Sequence, residues 1–334
     1  MGCVNIMDAV DVFPVQSILF PRPIMPIALL FLFELLFIIL APLASAQPPE
    51  LKVMTFNIRY AGGESLVDAD GWTNITPFSS RKTRVLRIIA ENDPDILGLQ
   101  EPLDSQVKDL RTGLKAYSFY GIGRDDGKIK GEYAAIFYRT ERFSLNDSGS
   151  FWLSKTPTVP GTTFSTRKDA NARIASWVKL TDSKTSQSYC VLNTHLDNQD
   201  AQARILSAEL IRNQLQSIAP NLPVLVTGDF NATETDRAVI TLVRKDASAK
   251  PPLLDSYRKL HPVQNPNERT FHNFTGDTKG LRIDFILHSP EFTPIKSEIL
   301  RTQYGEYYPS DHYPTITVFI ISTLQNPRPP KNNL

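Results

Sequence analysis

Polar side chains with useful chemistry stand beside apolar runs throughout this chain: Asn57 after VMTF, Glu101 after ILGLQ, His195 after VLNT, Asp229 and Asn231 in VLVTGDFN, Asp284 before FIL, and Asp311 with His312 before YPTITVFII. Clustering such groups at buried strand ends is costly unless they pair or bind something. Their types suit hydrolysis of a phosphoric ester. Such an ester is stable because its anionic oxygens repel a nucleophile and its leaving alkoxide is poor. A catalyst therefore needs a cation, a carboxylate to orient or deprotonate water, and a donor for the leaving oxygen. Glu101 and Asp311 are hard oxygen ligands of the kind Mg2+ takes, with Mn2+ an alternative, and Asn57 adds a neutral oxygen. Glu101 also has a plainer explanation as a carboxylate at the start of a helix at Leu103.

The elements that must position these groups alternate along the chain. LKVMTFNIRY reads as a strand, and SSRKTRVLRIIAEN as a helix capped by Ser79 or Ser80. DPDILGLQE reads as a buried strand and LDSQVKDLRTGL as a short helix; a meander follows through SGSFWLS and ARIASWVKLTD, with a turn at Asp126-Gly127. SQSYCVLNTHLD, the long helix DAQARILSAELIRNQLQSIA and PVLVTGDFNAT form a strand, helix and strand, and RTFHNF, GLRIDFILHS and SDHYPTITVFII complete the order. This is an α/β chain in which two packed mixed sheets carry helices on their outer faces, a four-layer sandwich. A cleft is expected where strand ends meet.

The strings TFNIRY, GLQE, NTHLD, GDFN, RIDFI and SDHYP span Leu51 to Phe319. In order and approximate spacing they resemble the signature blocks of the endonuclease/exonuclease/phosphatase superfamily, the fold of deoxyribonuclease I and the apurinic endonucleases. GRDDGKIKGEYAAIFY and SGSFWLSKTP resemble a secreted microbial subgroup. The resemblance implies metal-site roles for Asn57, Glu101 and Asp311, and a water-orienting role for Asp229. It implies phosphate contacts for Asn231 and Arg173, and a phosphate-side histidine, His312, paired with Asp284. His195 lies where the deoxyribonucleases place a leaving-group acid, and Tyr138 is a further substrate-binding candidate that also fits a core position. Arg59 departs from the apurinic endonucleases, which carry an acid there; arginine cannot ligate a metal, so a second metal site and abasic-site repair are not expected.

The balance of 36 Lys and Arg against 35 Asp and Glu, net +1, excludes a strongly basic nucleic-acid coat but not a local patch. Residues 1–46 read as a signal peptide, its apolar run from Ile24 ending in Ala44-Ser45-Ala46, with Met25 as an alternative start and a retained anchor as the competing possibility. Their removal takes away one Arg and three acids and leaves Cys190 alone, a buried small hydrophobe rather than a nucleophile. Residues 47–322 form the catalytic domain and 323–334 a polar, Pro-rich disordered tail. Sequons stand at Asn74, Asn146, Asn231 and Asn273, of which Asn231 should stay unmodified. The expected activity is a secreted, metal-dependent, monomeric phosphoesterase acting on a nucleic acid or a phosphorylated sugar or lipid. The alternatives are an inactive binding protein on the same fold and a nuclease proper.

Overall fold

A computed structural model describes residues 49–62, 72, 80–243 and 252–321. The N-terminal segment, the tail and Asn74 lie outside the described residues. One sheet has the strand order β11-β12-β1-β2-β4-β3 and the other β5-β6-β7-β8-β10-β9. The strands of the first are β1 (Glu50–Asn57), β2 (Ile96–Gln100), β3 (Tyr117–Tyr120), β4 (Ala134–Arg139), β11 (Phe292–Ile299) and β12 (Thr315–Ile321). Those of the second are β5 (Phe143–Trp152), β6 (Ile174–Asp182), β7 (Gln187–His195), β8 (Val224–Asp229), β9 (Leu254–Asp255) and β10 (Asp284–His288). Each sheet has one parallel pair at its centre, β1 with β2 and β7 with β8.

Helices make those parallel crossovers possible. Helix α1 (Arg81–Asn92) joins β1 to β2; Ser80 caps it by accepting from the Thr83 N–H at 3.2 Å. Between β2 and β3 lies α2 (Asp104–Gly113). The 18-residue α3 (Ala201–Ile218) joins β7 to β8, and Asp200 caps it by accepting from the Ala203 N–H at 3.0 Å. Val85, Ile88 and Ile89 of α1 pack on Met54, Phe56, Leu97 and Leu99. Ala208, Ile211 and Leu215 of α3 pack on Cys190, Leu192, Val224 and Val226. Cys190 is thus fully buried, and burial pushes its thiol up to about 12, which suits a packing residue.

The other face of each sheet meets its partner, and along it the strand period of two sorts polarity by depth. At one end Leu51, Val53, Ile96, Tyr189, Val191, Leu225, Ile286 and Phe319 form an apolar core. Two residues further along come Thr55, Gly98, Asn193 and Thr227, joined by hydrogen bonds. Asn193 Nδ2 donates to the Leu99 and Ala135 carbonyls at 2.8 and 2.9 Å, while its Oδ1 accepts from Gln100 Nε2 at 2.7 Å and Thr227 Oγ1 at 3.1 Å. The next inward positions are Asn57, His195, Asp229 and Asp284, of which His195 and Asp229 line the cleft. Gly98 lets the sheets meet across this polar layer, since a Cβ there would stand 2.2 Å from Thr227 Oγ1 and 2.9 Å from Asn193 Oδ1. Gly98→Ala is expected to cost about 2–3 kcal/mol through overpacking, seen as a lowered urea midpoint with an unchanged slope.

Candidate active site

The C-terminal ends of β1, β2, β7 and β8 open on one edge of the sandwich, where ligands collect in open sheets with parallel strands. Asp229 ends β8 and is register partner to both His195 of β7 and Asp284 of β10. His312 lies in the segment leading into β12, against the end of β1. Asp229, His195 and His312 border a cleft of about 750 Å³ that is also lined by Arg59, Glu101, Arg124, Glu132, Arg173, Asn231 and Asp311, with Asp284 buried behind His312.

Asp229 is the hub. Its Oδ2 accepts from Asn57 Nδ2 at 3.0 Å and lies 3.3 Å from His195 Nε2 and 3.7 Å from His312 Nε2. Its Oδ1 accepts from the Asn231 N–H at 2.9 Å. Burial, reinforced by repulsion from Asp284, pushes the Asp229 carboxyl up to about 7. The two imidazoles on either side differ in charge. Burial pulls His312 down, but Asp284, 2.9 Å from its Nδ1, and Asp229 together lift it to about 10, so it is an imidazolium at neutral pH. His195 is driven well below the usual imidazole range by burial and then by Arg173 and Arg124. Its Nε2 lies 2.9 Å from Asn231 Nδ2, which also donates to the Leu196 carbonyl at 3.1 Å, and its Nδ1 faces Glu132 Oε2 at 3.9 Å.

The carboxylates expected at a metal face a common point. Glu101 Oε2 and Asp311 Oδ2 each lie 3.8 Å from the guanidinium of Arg59, a cation already standing between them. Their hard oxygens and this shared focus fit a divalent metal ion. Asn57 hydrogen-bonds through both ends of its amide. Its Oδ1 accepts from the Arg59 N–H at 2.9 Å, and its Nδ2 donates to Glu101 Oε1 at 2.9 Å as well as to Asp229. Asn57 thus stands between the Glu101 and Asp229 carboxylates. Three of these residues, Arg59, Glu101 and Asn231, hold positive φ (59°, 71° and 47°) without being glycine. Such backbone costs about 1–3 kcal/mol each and collects at functional sites.

Tyr138 is not in the cleft. Strand β4 runs antiparallel to β2, pairing Ala134 with Gln100 and Tyr138 with Ile96, so Tyr138 lies at the foot of the sheet in the apolar core. The same reversal brings a residue that the motifs missed to the cleft. Glu132, just before β4, is held by Arg124 through both oxygens at 2.6 and 3.0 Å, and burial pushes it up to about 7 against the pull of Arg124. Its carboxylate groups with Glu101 and His195, their ligand atoms lying within 4.8 Å of one another. An acid leading into an apolar strand was the available signal. Arg173, just before β6, is brought to the site, where its Nη2 donates to Asn198 Oδ1 at 2.9 Å and the rest of its guanidinium is buried.

Residues 54–312 match the Endonuclease/Exonuclease/phosphatase family. The chain belongs to this family. It thereby joins hydrolases that act on phosphoester bonds. An endonuclease/exonuclease/phosphatase family protein of Bacteroides thetaiotaomicron is 33% identical, with 82% of this chain and 99% of that one covered and a TM-score of 0.68. The mannosyl-6-phosphatase of the same organism is 32% identical, with 81% of this chain and 100% of that one covered and a TM-score of 0.66. Protein angel of Drosophila melanogaster is 27% identical over 172 residues, 50% of this chain and 47% of that protein. The chain thus spans about half the length of that curated relative.

Proposed function

We propose that the chain is a metal-dependent phosphomonoesterase acting on a phosphorylated sugar. The placement of Asp229 carries the proposal: a carboxylate tuned to about 7, between a charged and a neutral imidazole and beside two metal-type carboxylates. Ionised Asp229 takes a proton from the attacking water. Neutral His195, its Nε2 3.3 Å from Asp229 and Glu132 behind its Nδ1, positions that carboxylate, and the departing sugar oxygen takes its proton from water in the cleft as its bond to phosphorus breaks. The His312 imidazolium, fixed by Asp284, supplies positive charge to a phosphoryl oxygen. Glu101 and Asp311 would hold Mg2+ or Mn2+, which when bound offsets the charge on the phosphoryl group.

The cleft lining supports a small polar substrate. Among the described residues lining the cleft, Arg124 is paired with Glu132 and Arg59 faces two acids, so these cations do not form the phosphate-tracking row that a polynucleotide needs. Asp125, Asn171 and Asn198 offer hydrogen bonds to hydroxyls, and Phe271, 40% exposed at the rim and 5.0 Å from the His312 ring, offers a sugar a flat face. A panel of hexose phosphates, DNA, RNA, sphingomyelin and phosphoinositides with Mg2+ tests this. Phosphate release from a hexose phosphate, abolished by EDTA, is expected; turnover of DNA or RNA alone would overturn it. Glu101→Gln keeps the shape and removes a metal-side charge, so the rate should fall at least about a hundredfold and return only partly with excess Mg2+.

The proposal includes export. In its support, the sequon residues Asn146 and Asn273 are exposed, whereas Asn231 holds its side chain in the site. N-terminal sequencing of protein from culture medium should begin at Gln47, and a start upstream of Ile24 would reject cleavage.

A further inference from the structure

A second hollow lies away from the catalytic cleft, beside the far half of α2. Lys108, Arg111 and Thr112 of this helix and Lys115 just after it recur at the spacing of three and four that puts side chains on one helix face. Opposite them stand Tyr117 and Phe119 of the edge strand β3 and Tyr138 of β4, and the two walls border a cavity of about 690 Å³. No acid lines it. Lys108 Nζ meets Asp104 Oδ2 at 2.7 Å, a solvent-exposed pair that a competing anion displaces at little cost. Arg111 lies over the Phe119 ring at 5.8 Å, and neither it nor Lys115 has a carboxylate partner among the described residues. Complementing the helix dipole or protecting a sheet edge accounts for single cations. Neither calls for three around one hollow.

We propose that this hollow is a binding site for a phosphorylated glycan, in which Lys108, Arg111 and Lys115 take a phosphate group and the Tyr117 and Phe119 rings take a sugar face. The unopposed charge selects an anion, and the aromatic wall selects one that carries a flat apolar face. None of the large hydrophobic side chains that stand exposed elsewhere borders the hollow, so a lipid surface would gain no insertion there. Three cations in one hollow form a local cluster rather than the long row that follows a polynucleotide backbone. Leu103, just before α2, lines the catalytic cleft, and the ten-residue helix is about 15 Å long, so it joins the cleft rim to the hollow. A glycan with phosphate groups at two places along its chain reaches both, one ester in the cleft and the second in the hollow. Capture of the longer substrate is thereby strengthened without any new contact at the reacting phosphate. That use rests on the phosphomonoesterase reading above, whereas the binding itself is measured apart from turnover.

The full chain is titrated calorimetrically in EDTA with dextran phosphate, with unmodified dextran and with a single-stranded oligonucleotide of the same phosphate number. The wild type should bind dextran phosphate and not dextran. Replacing all three cations, Lys108→Gln with Arg111→Gln and Lys115→Gln, should weaken that binding at least about tenfold. With metal present, the same variant should show a raised KM for dextran phosphate and an unchanged kcat/KM for a hexose phosphate. Circular dichroism confirms folding, and Lys115→Glu alone replaces the triple variant if the latter does not fold. Equal binding by the variant, equal binding of unmodified dextran, or tighter binding of the oligonucleotide would each overturn the glycan site. Binding lost in the variant, with no phosphate released from a hexose phosphate by the wild type, would uphold the site and overturn the phosphomonoesterase reading instead.

Discussion

Asp229→Asn should lower kcat by at least about a thousandfold while making the protein more stable at pH 8. The rate follows from its placement, since an amide cannot accept the proton of the attacking water and the effect of such a base is typically 10²–10⁴. The stability follows from linkage. Asp229 is fully buried and its carboxyl is held at about 7, against about 3.9 in the unfolded chain. Between those values the folded state keeps a proton that the unfolded state has released, so stability falls as pH rises through this window. Above pH 7 the full penalty is present. If all of it were recovered, about 4 kcal/mol would return, but the same carboxylate helps to hold His312 protonated, so a net gain of about 1–2 kcal/mol is expected. Urea unfolding at pH 4 and pH 8 checks it: the variant should gain at pH 8 and match the wild type near pH 4. The wild-type rate should rise with pH through about 7 and fall as His312 loses its proton near 10. A variant less stable than wild type at pH 8 would show that ionised Asp229 is a structural asset.

The second large effect belongs to His312, and its contrast with His195 tests the charge states. His312→Ala should lose at least about a thousandfold on both an alkyl phosphate and p-nitrophenyl phosphate, because charge on the phosphoryl group develops in either reaction. His195→Ala should lose about tenfold to a hundredfold, and equally on the two, because a neutral imidazole 3.3 Å from Asp229 positions the base and is a poor acid toward the leaving oxygen. Rates at one metal concentration and pH, with folding confirmed by circular dichroism, decide the matter. A much larger loss for His195→Ala on the alkyl ester would restore it as the leaving-group acid.

Much of this architecture is legible in the linear chain because a strand has a period of two. Reading alternate residues along VMTFN, VLNTH and VLVTGD already gives a face that passes from aliphatic, through Thr and Asn, to Asn57, His195 and Asp229. The Ser80 and Asp200 caps, the parallel crossovers and the cleft at strand ends follow from the same local rules. Strand direction and pairwise electrostatics are of another kind. Nothing local in GEYAAIFYR says that β4 runs antiparallel to β2, yet that reversal puts Glu132 at the cleft and Tyr138 at its far end. Nothing in NIR says that Arg59 will stand between Glu101 and Asp311, which come from segments 42 and 252 residues further on. The two histidines have the same side chain and are both buried, but one is charged and the other neutral, because Asp284 packs on the first and Arg173 and Arg124 lie near the second. Strand period and capping depend on neighbours in the chain, whereas proton affinity depends on which charges share a low-dielectric space, and only folding selects those.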